Sequence, residues 1–158
     1  MATGRVMTVG KVVQHSTEWS WLSIKAVVDQ LEALLEQCTA GGADPALCAR
    51  MGEQLRALHA RVRAHYAVQV LSERQQMIER CAPHLTERYQ QLQADLPRVI
   101  SQLDRAVRMS EWVGESDSEE QTVFVLRVRE VMVTLQRFKA EETLVLARAV
   151  WSDTGGES

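Results

Sequence analysis

Four long stretches of helical periodicity constrain the fold of this chain more than any other feature. Apolar residues recur at spacings of three and four residues, which places them on one face of an α-helix, whereas a half-buried strand would alternate. The three prolines and eight glycines lie mostly at the ends of these stretches. Helices are predicted over residues 17–38, 44–79, 83–112 and 117–151.

Four amphipathic helices with short connections predict an all-α fold, with the helices packed as an up-down-up-down four-helix bundle. We expect an N-terminal extension at 1–16, the bundle at 17–151 and a flexible tail at 152–158. Asp44 followed by Pro45 has the pattern of an N-cap and a first helical position. Pro97 should kink the third helix, with Asp95 as a local N-cap if that helix breaks. Ser116 and Glu119 have the spacing of a capping box before the fourth helix.

Composition excludes several classes of function. The chain has 158 residues and a formal net charge of −3, so nothing indicates binding to nucleic acid or to an anionic membrane. No apolar run approaches the roughly 18 residues that span a bilayer, and the N-terminal residues do not resemble a signal peptide. Three scattered cysteines, Cys38, Cys48 and Cys81, predict free thiols in a reducing compartment. We therefore expect a cytoplasmic protein.

Polar residues interrupt two of the apolar stripes at a similar depth. Glu142 stands within the stripe that contains Leu135, Phe138 and Val145, and His65 and Gln69 close the stripe of the second helix. In the predicted bundle, the first and third helices finish at the end where the second and fourth begin. Counted from that end at 1.5 Å per residue, these polar residues lie within about two turns of one another. Metal and cofactor sites of helix bundles are built in such inward layers.

Three segments around this layer carry a family resemblance. They are "HYAVQV" at 65–70, "DL" at 95–96 and "FKAEETLVL" at 138–146, followed by "LARAVWSDTGGES" at the C-terminus. In order and spacing, over most of residues 20–156, the chain resembles the hemerythrin-like (HHE cation-binding) family, including bacterial members. The resemblance implies a four-helix bundle with a di-iron site formed by inward histidines and carboxylates.

The departures from the family pattern predict that the di-iron site is lost. Of the implied metal ligands, only His65, Glu141 and Glu142 remain. The other implied ligand positions are occupied by Trp21, Gln69, Leu96 and Phe138. Tryptophan, leucine and phenylalanine cannot coordinate iron, but they can fill the space at core density.

Glu142 is then interpreted as a remnant that pairs with His65, directly or through one water, because a lone buried carboxylate is destabilising. Two other interpretations stay open. His65 can bond to Gln69 instead, and Glu141 and Glu142 can belong to a solvated helix face.

No Ser-His-Asp set, phosphate-binding glycine loop or glycosidase-type carboxylate pair is present, so we predict no enzymatic activity and no cofactor. The leading hypothesis is a divergent hemerythrin-like bundle that acts as a non-catalytic binding, regulatory or interaction protein, with an unknown protein or small-molecule partner. The alternative is a metal-binding member that uses iron to bind or sense oxygen or to handle iron. A third hypothesis is a subunit that docks a partner through Trp19, Trp21 and Trp151, which we expect to cluster at one end of the bundle.

Overall fold

The structure is a computed structural model that describes the backbone of residues 3–153 and the side chains of residues 21–67 and 70–152. This part of the chain folds into helices without any strand, which confirms the all-α prediction. The elements in chain order are α1 (Thr3–Gly41), α2 (Pro45–His65), α3 (Val68–Cys81), a 3-10 turn (Pro83–Leu85), α4 (Thr86–Val113) and α5 (Ser118–Asp153).

Local chemistry sets several of the helix ends. Gly42 has a φ of 79°, a left-handed conformation that glycine adopts without a Cβ penalty, and it ends α1. The Asp44 carboxylate accepts a 2.8 Å hydrogen bond from the Leu47 amide and caps α2, as predicted. The capping box predicted for the last helix is displaced by one residue, because the Asp117 carboxylate accepts the Glu120 amide at 2.9 Å.

The helices pack in a chain of neighbours. α1 packs against α2, α2 against α4, and α4 against α5, while the shorter α3 contacts both α4 and α5. Polar side chains connect α1 with α5, since Arg129 donates to the Thr39 hydroxyl and Gln136 Nε2 donates to Glu32 Oε1 at 2.8 Å. Gly52 lies at a close approach of α2 to α4, because a Cβ at this position would lie 2.9 Å from the Ser110 Cβ.

The predicted apolar stripes form the core. The inward positions of α1, α2, α4 and α5 are buried at helical spacing, including Leu31, Leu55, Leu103 and Leu135. Burial of a leucine side chain contributes about 1.5–3 kcal/mol, so these stripes account for most of the favourable free energy of folding. In the described part of the chain, no helix is both long enough and apolar enough to cross a membrane.

The prediction of one continuous second helix to residue 79 is wrong. The helix ends at His65, Tyr66 (φ −105°, ψ 31°) and Ala67 (φ −58°, ψ 146°) leave helical geometry, and α3 starts at Val68. No proline or glycine marks this break, and its cause is tertiary. His65 and Tyr66 are both buried, and the break allows both consecutive rings to point into the core.

Two further boundaries differ from the prediction. α1 begins at Thr3 rather than near Thr17, so its backbone includes most of the predicted extension at 1–16, whose side chains lie outside the described residues. α4 continues through Pro97 without interruption, so Asp95 is not a helix cap. The α5 helix extends to Asp153, and residues 154–158 of the predicted tail lie outside the described part.

Candidate functional site

A group of charged and polar side chains, all buried except the half-buried Lys139, lies among α2, α3 and α5. We name it the buried polar cluster; it consists of His65, Tyr66, Arg74, Lys139 and Glu142. Glu142 and Arg74 are only 1% and 2% exposed. The helix break after His65 positions three of these residues, since it turns Tyr66 inward and directs α3 so that Arg74 reaches the core.

The Glu142 carboxylate is the centre of the cluster and accepts three described hydrogen bonds. Arg74 Nη1 donates to Oε2 at 3.1 Å, while Tyr66 Oη and Lys139 Nζ donate to Oε1 at 3.2 and 3.1 Å. Two of these donors are cations, so the negative charge of Glu142 is compensated inside the protein. This arrangement answers the question that a glutamate in an apolar stripe raises, because a buried carboxylate is tolerated when it is paired and hydrogen-bonded.

His65 lies beside this ion pair as a neutral ring. Burial first, and then the positive charges of Arg74 and Lys139, lower the pKa of His65 from 6.5 to about 3. Its Nε2 lies 3.5 Å from Arg74 Nη2, a geometry in which the guanidinium donates and the neutral imidazole accepts. The predicted direct pairing of His65 with Glu142 is therefore corrected: the Arg74 guanidinium contacts both of them.

Two tyrosines contact the cluster in different ways. Burial, together with the negative charge of Glu142, raises the pKa of Tyr66, so its hydroxyl keeps the proton that it donates to the carboxylate. Burial also raises the pKa of Tyr89 to about 12. The Tyr89 hydroxyl and the Nε of Arg74 are buried without a partner at hydrogen-bonding geometry among the described residues.

Aromatic residues surround the cluster at two of the implied ligand positions. The Trp21 ring lies 6.0 Å from the His65 ring, and Lys139 Nζ lies 4.8 Å from the Trp21 centroid in a cation–π contact. Phe138 packs edge-on against Tyr66 with centroids 5.3 Å apart. The structure thus brings Trp21, His65, Phe138 and Glu142 into one layer, as their predicted depths indicate.

The other predicted site residues lie elsewhere or are not described. Glu141 is exposed and forms a surface ion pair with Arg88 at 3.2 Å. Leu96 is buried in α4. Tyr89, also in α4, is close enough to Arg74 and Glu142 for their charges to affect its pKa. The side chain of Gln69 lies outside the described residues, as does that of Trp19, whereas Trp151 is exposed.

Sequence reasoning missed the two cations and the tyrosine that hold Glu142. A signal for Arg74 was present, because it lies between Leu71 and Ile78 at helical spacing and interrupts an apolar stripe as Glu142 does. Tyr66 could not be found in this way, since a continuous helix would not be expected to bury it together with His65.

The arrangement does not fit a metal centre. A ligand to iron must offer a lone pair, and both oxygens of Glu142 already accept from cations or a hydroxyl, while His65 Nε2 faces a guanidinium. Across the described residues, no group of three or more histidine, cysteine or acidic side chains is arranged to hold a metal ion. No disulfide joins Cys38, Cys48 and Cys81, as predicted.

The described surface groove lies apart from the buried polar cluster. A surface groove of about 390 Å³ lies between α3 and α4, where Leu71, Ser72, Gln75, Gln76, Glu79 and Gln93 line it. None of these residues belongs to the buried polar cluster. At the centre of the cluster, Arg74 and Glu142 form a buried ion pair, and Lys139 at its edge is 17% exposed.

No family model, curated protein or solved structure shows significant similarity to this chain.

Proposed function

We propose that this chain is a hemerythrin-like four-helix bundle that has lost its di-iron site and acts as a non-catalytic binding, regulatory or interaction protein. The observation that carries the proposal is the pair of cations on Glu142. Arg74 and Lys139 donate to the carboxylate at 3.1 Å each, and together they supply the positive charge that metal ions would supply at this layer. The neighbour packing of α1 on α2, α2 on α4 and α4 on α5 supports the bundle part of the proposal.

Electrostatics explains why Glu142 cannot bind a metal ion while Arg74 and Lys139 are paired with it. A divalent ion beside Glu142 would lie close to a guanidinium and an ammonium group, and like charges at short distance in a poorly solvated site repel strongly. Metal binding would require both cations to leave, and Arg74 could leave only by exposing or reburying a charge that is now 2% exposed. The same cations that make Glu142 acceptable in the core therefore oppose metal binding.

The alternative, an iron-binding member that binds or senses oxygen or handles iron, has one observation in its favour. His65 is held neutral by its low pKa, and a neutral imidazole is the form that binds metals. Glu141, which the alternative also needs, lies on the surface with Arg88. The alternative therefore requires α5 to rotate and the cluster to open.

Metal analysis of the purified protein tests the proposal. The protein is expressed with iron in the medium, and its iron content is measured together with the absorption band of an oxo-bridged iron pair. We expect iron far below one atom per chain and no such band. Stoichiometric iron that is lost in a Glu142→Gln variant would overturn the proposal. Glu111→Gln, at an exposed position of α4, is the matched control, and unchanged iron content in this variant would show that loss of a surface charge is not responsible.

A further inference from the structure

The outer face of α5 carries an apolar pattern that the core does not use. Its members recur in alternating steps of four and three residues: Leu126, Glu130, Val133, Arg137, Ala140 and Leu144. We name these six residues the outer seam. All six are exposed, and the three large apolar side chains are 46–59% exposed. The four-three alternation is the heptad spacing by which one helix packs along another.

The contacts of α5 show that the outer seam points away from the other helices in the described part of the chain. On one flank, Arg129 and Gln136 bond to residues of α1. On the other flank, Glu141 pairs with Arg88 of α4. The outer seam lies between these flanks, so neither neighbouring helix covers it.

We infer that the outer seam binds the outer seam of a second copy of this chain, with the two α5 helices antiparallel. The two charged members are the reason for this choice of partner. In an antiparallel pair of identical helices, the numbers of any two facing residues have the same sum. In the register that pairs the ends of the outer seam, Leu126 faces Leu144, Glu130 faces Ala140 and Val133 faces Arg137 of the other copy. The outer seam is therefore complementary to itself.

In this register, Glu130 of each copy lies one layer from Arg137 of the other, within reach of a long side chain. Opposite charges meet on both sides of the two-fold axis, as an isologous interface requires. A parallel pairing would place each charged residue beside its own copy and would be repelled. In the described part of the chain, Glu130 has only a loose contact with Arg127 at 3.8 Å and Arg137 has no ion pair, so both remain available.

The six positions extend over about 27 Å of helix, at 1.5 Å per residue. Small Ala140 opposite Glu130 leaves room for the longer side chain, and the paired leucines close each end of the interface. This inference rests on the proposed interaction role and names its partner. It fails independently of the iron assay, because metal content and molecular mass are separate measurements.

Sedimentation equilibrium of the full chain over a range of concentrations tests the inference. We expect a reversible monomer–dimer equilibrium with a limiting mass twice the 17.8 kDa of the chain. Leu126→Glu together with Leu144→Glu should weaken the dimer by about tenfold or more, because each change removes an apolar contact and adds a charge to the interface. Leu22→Glu is the matched control, since Leu22 is 54% exposed on α1 and should leave the dimer unchanged.

Charge reversal separates the antiparallel register from other contacts. Glu130→Arg should weaken the dimer, and Arg137→Glu should do the same, whereas the double variant should restore it. Circular dichroism of each variant establishes that the monomer is folded. A chain that stays monomeric over the whole concentration range overturns the inference. A dimer that is insensitive to the leucine variants, or that the double charge reversal does not restore, also overturns it.

Discussion

The ion pair between Arg74 and Glu142 should couple strongly to the stability of the fold. Glu142→Gln leaves the buried guanidinium without its counter-ion and with Lys139 nearby, so we expect a loss of about 3–5 kcal/mol in the free energy of unfolding. Arg74→Met should cost less, about 1–3 kcal/mol, because Lys139 and Tyr66 still donate to the carboxylate. The double variant should lose much less than the sum of the two single variants.

The magnitude of this coupling is at least about 2 kcal/mol, because each single variant leaves a buried charge that the double variant removes. Urea unfolding followed by far-UV circular dichroism measures each free energy of unfolding. The surface pair of Arg88 and Glu141 provides a matched control, because its 3.2 Å contact is of similar length but its side chains are 54% and 49% exposed. Its coupling should stay below about 1 kcal/mol.

If the free-energy losses of the single variants at Arg74 and Glu142 add up to the loss of the double variant within about 0.5 kcal/mol, this result would refute the reasoning. So would equal coupling at the two pairs, because burial would then contribute nothing to the strength of the interaction.

Three further outcomes are expected from the same layer. Tyr66→Phe should destabilise by about 1.5–3 kcal/mol because it removes a hydrogen bond to a carboxylate. Tyr89→Phe should change stability by less than about 0.5 kcal/mol, because the Tyr89 hydroxyl lies near Arg74 and Gln93 but meets neither at hydrogen-bonding geometry. Equal effects in urea unfolding would contradict this. The pKa of His65 is lowered from 6.5 to about 3 on folding, so the unfolded chain binds the proton more tightly. The free energy of unfolding should therefore fall as the pH decreases from 6.5 to about 3, by up to about 1.4 kcal/mol per pH unit. A His65→Gln variant should lose this part of the pH dependence, and an unchanged pH dependence would argue against a buried neutral ring. Phe138→His should destabilise by about 1–3 kcal/mol, because it places a polar ring among aromatic neighbours. The variant should not restore iron binding. Tight stoichiometric iron in this variant would show that the remaining ligands suffice.

The periodicity of the sequence was sufficient for the helical fold and for most of the core. Residues such as Leu31, Leu58, Leu103 and Leu135 are buried as their spacing predicts, because the face of a helix that meets its neighbours depends only on local geometry. The Asp44 cap was also predictable, since an N-cap involves a side chain and an amide three residues apart.

The layer of the candidate site was predictable, but its chemistry was not. Depth along a helix follows from a constant rise per residue, so Trp21, His65, Phe138 and Glu142 could be placed together from the sequence. The partner of Glu142 was predicted to be His65, and the structure shows Arg74, Tyr66 and Lys139 instead.

The break after His65 is the reason for this difference. A helix break without proline or glycine has no local sign, because it is stabilised by what the turned residues contact rather than by their own backbone preferences. Only the tertiary structure decides that Tyr66 turns inward and that Arg74 approaches Glu142 from α3, 68 positions away in the sequence. The sequence alone therefore placed Trp21, His65, Phe138 and Glu142 at one level, because depth along a helix depends only on its rise per residue. The long-range packing of α3 and α5 determined that Tyr66 and Arg74 are buried there too and that cations of the chain itself neutralise the carboxylate.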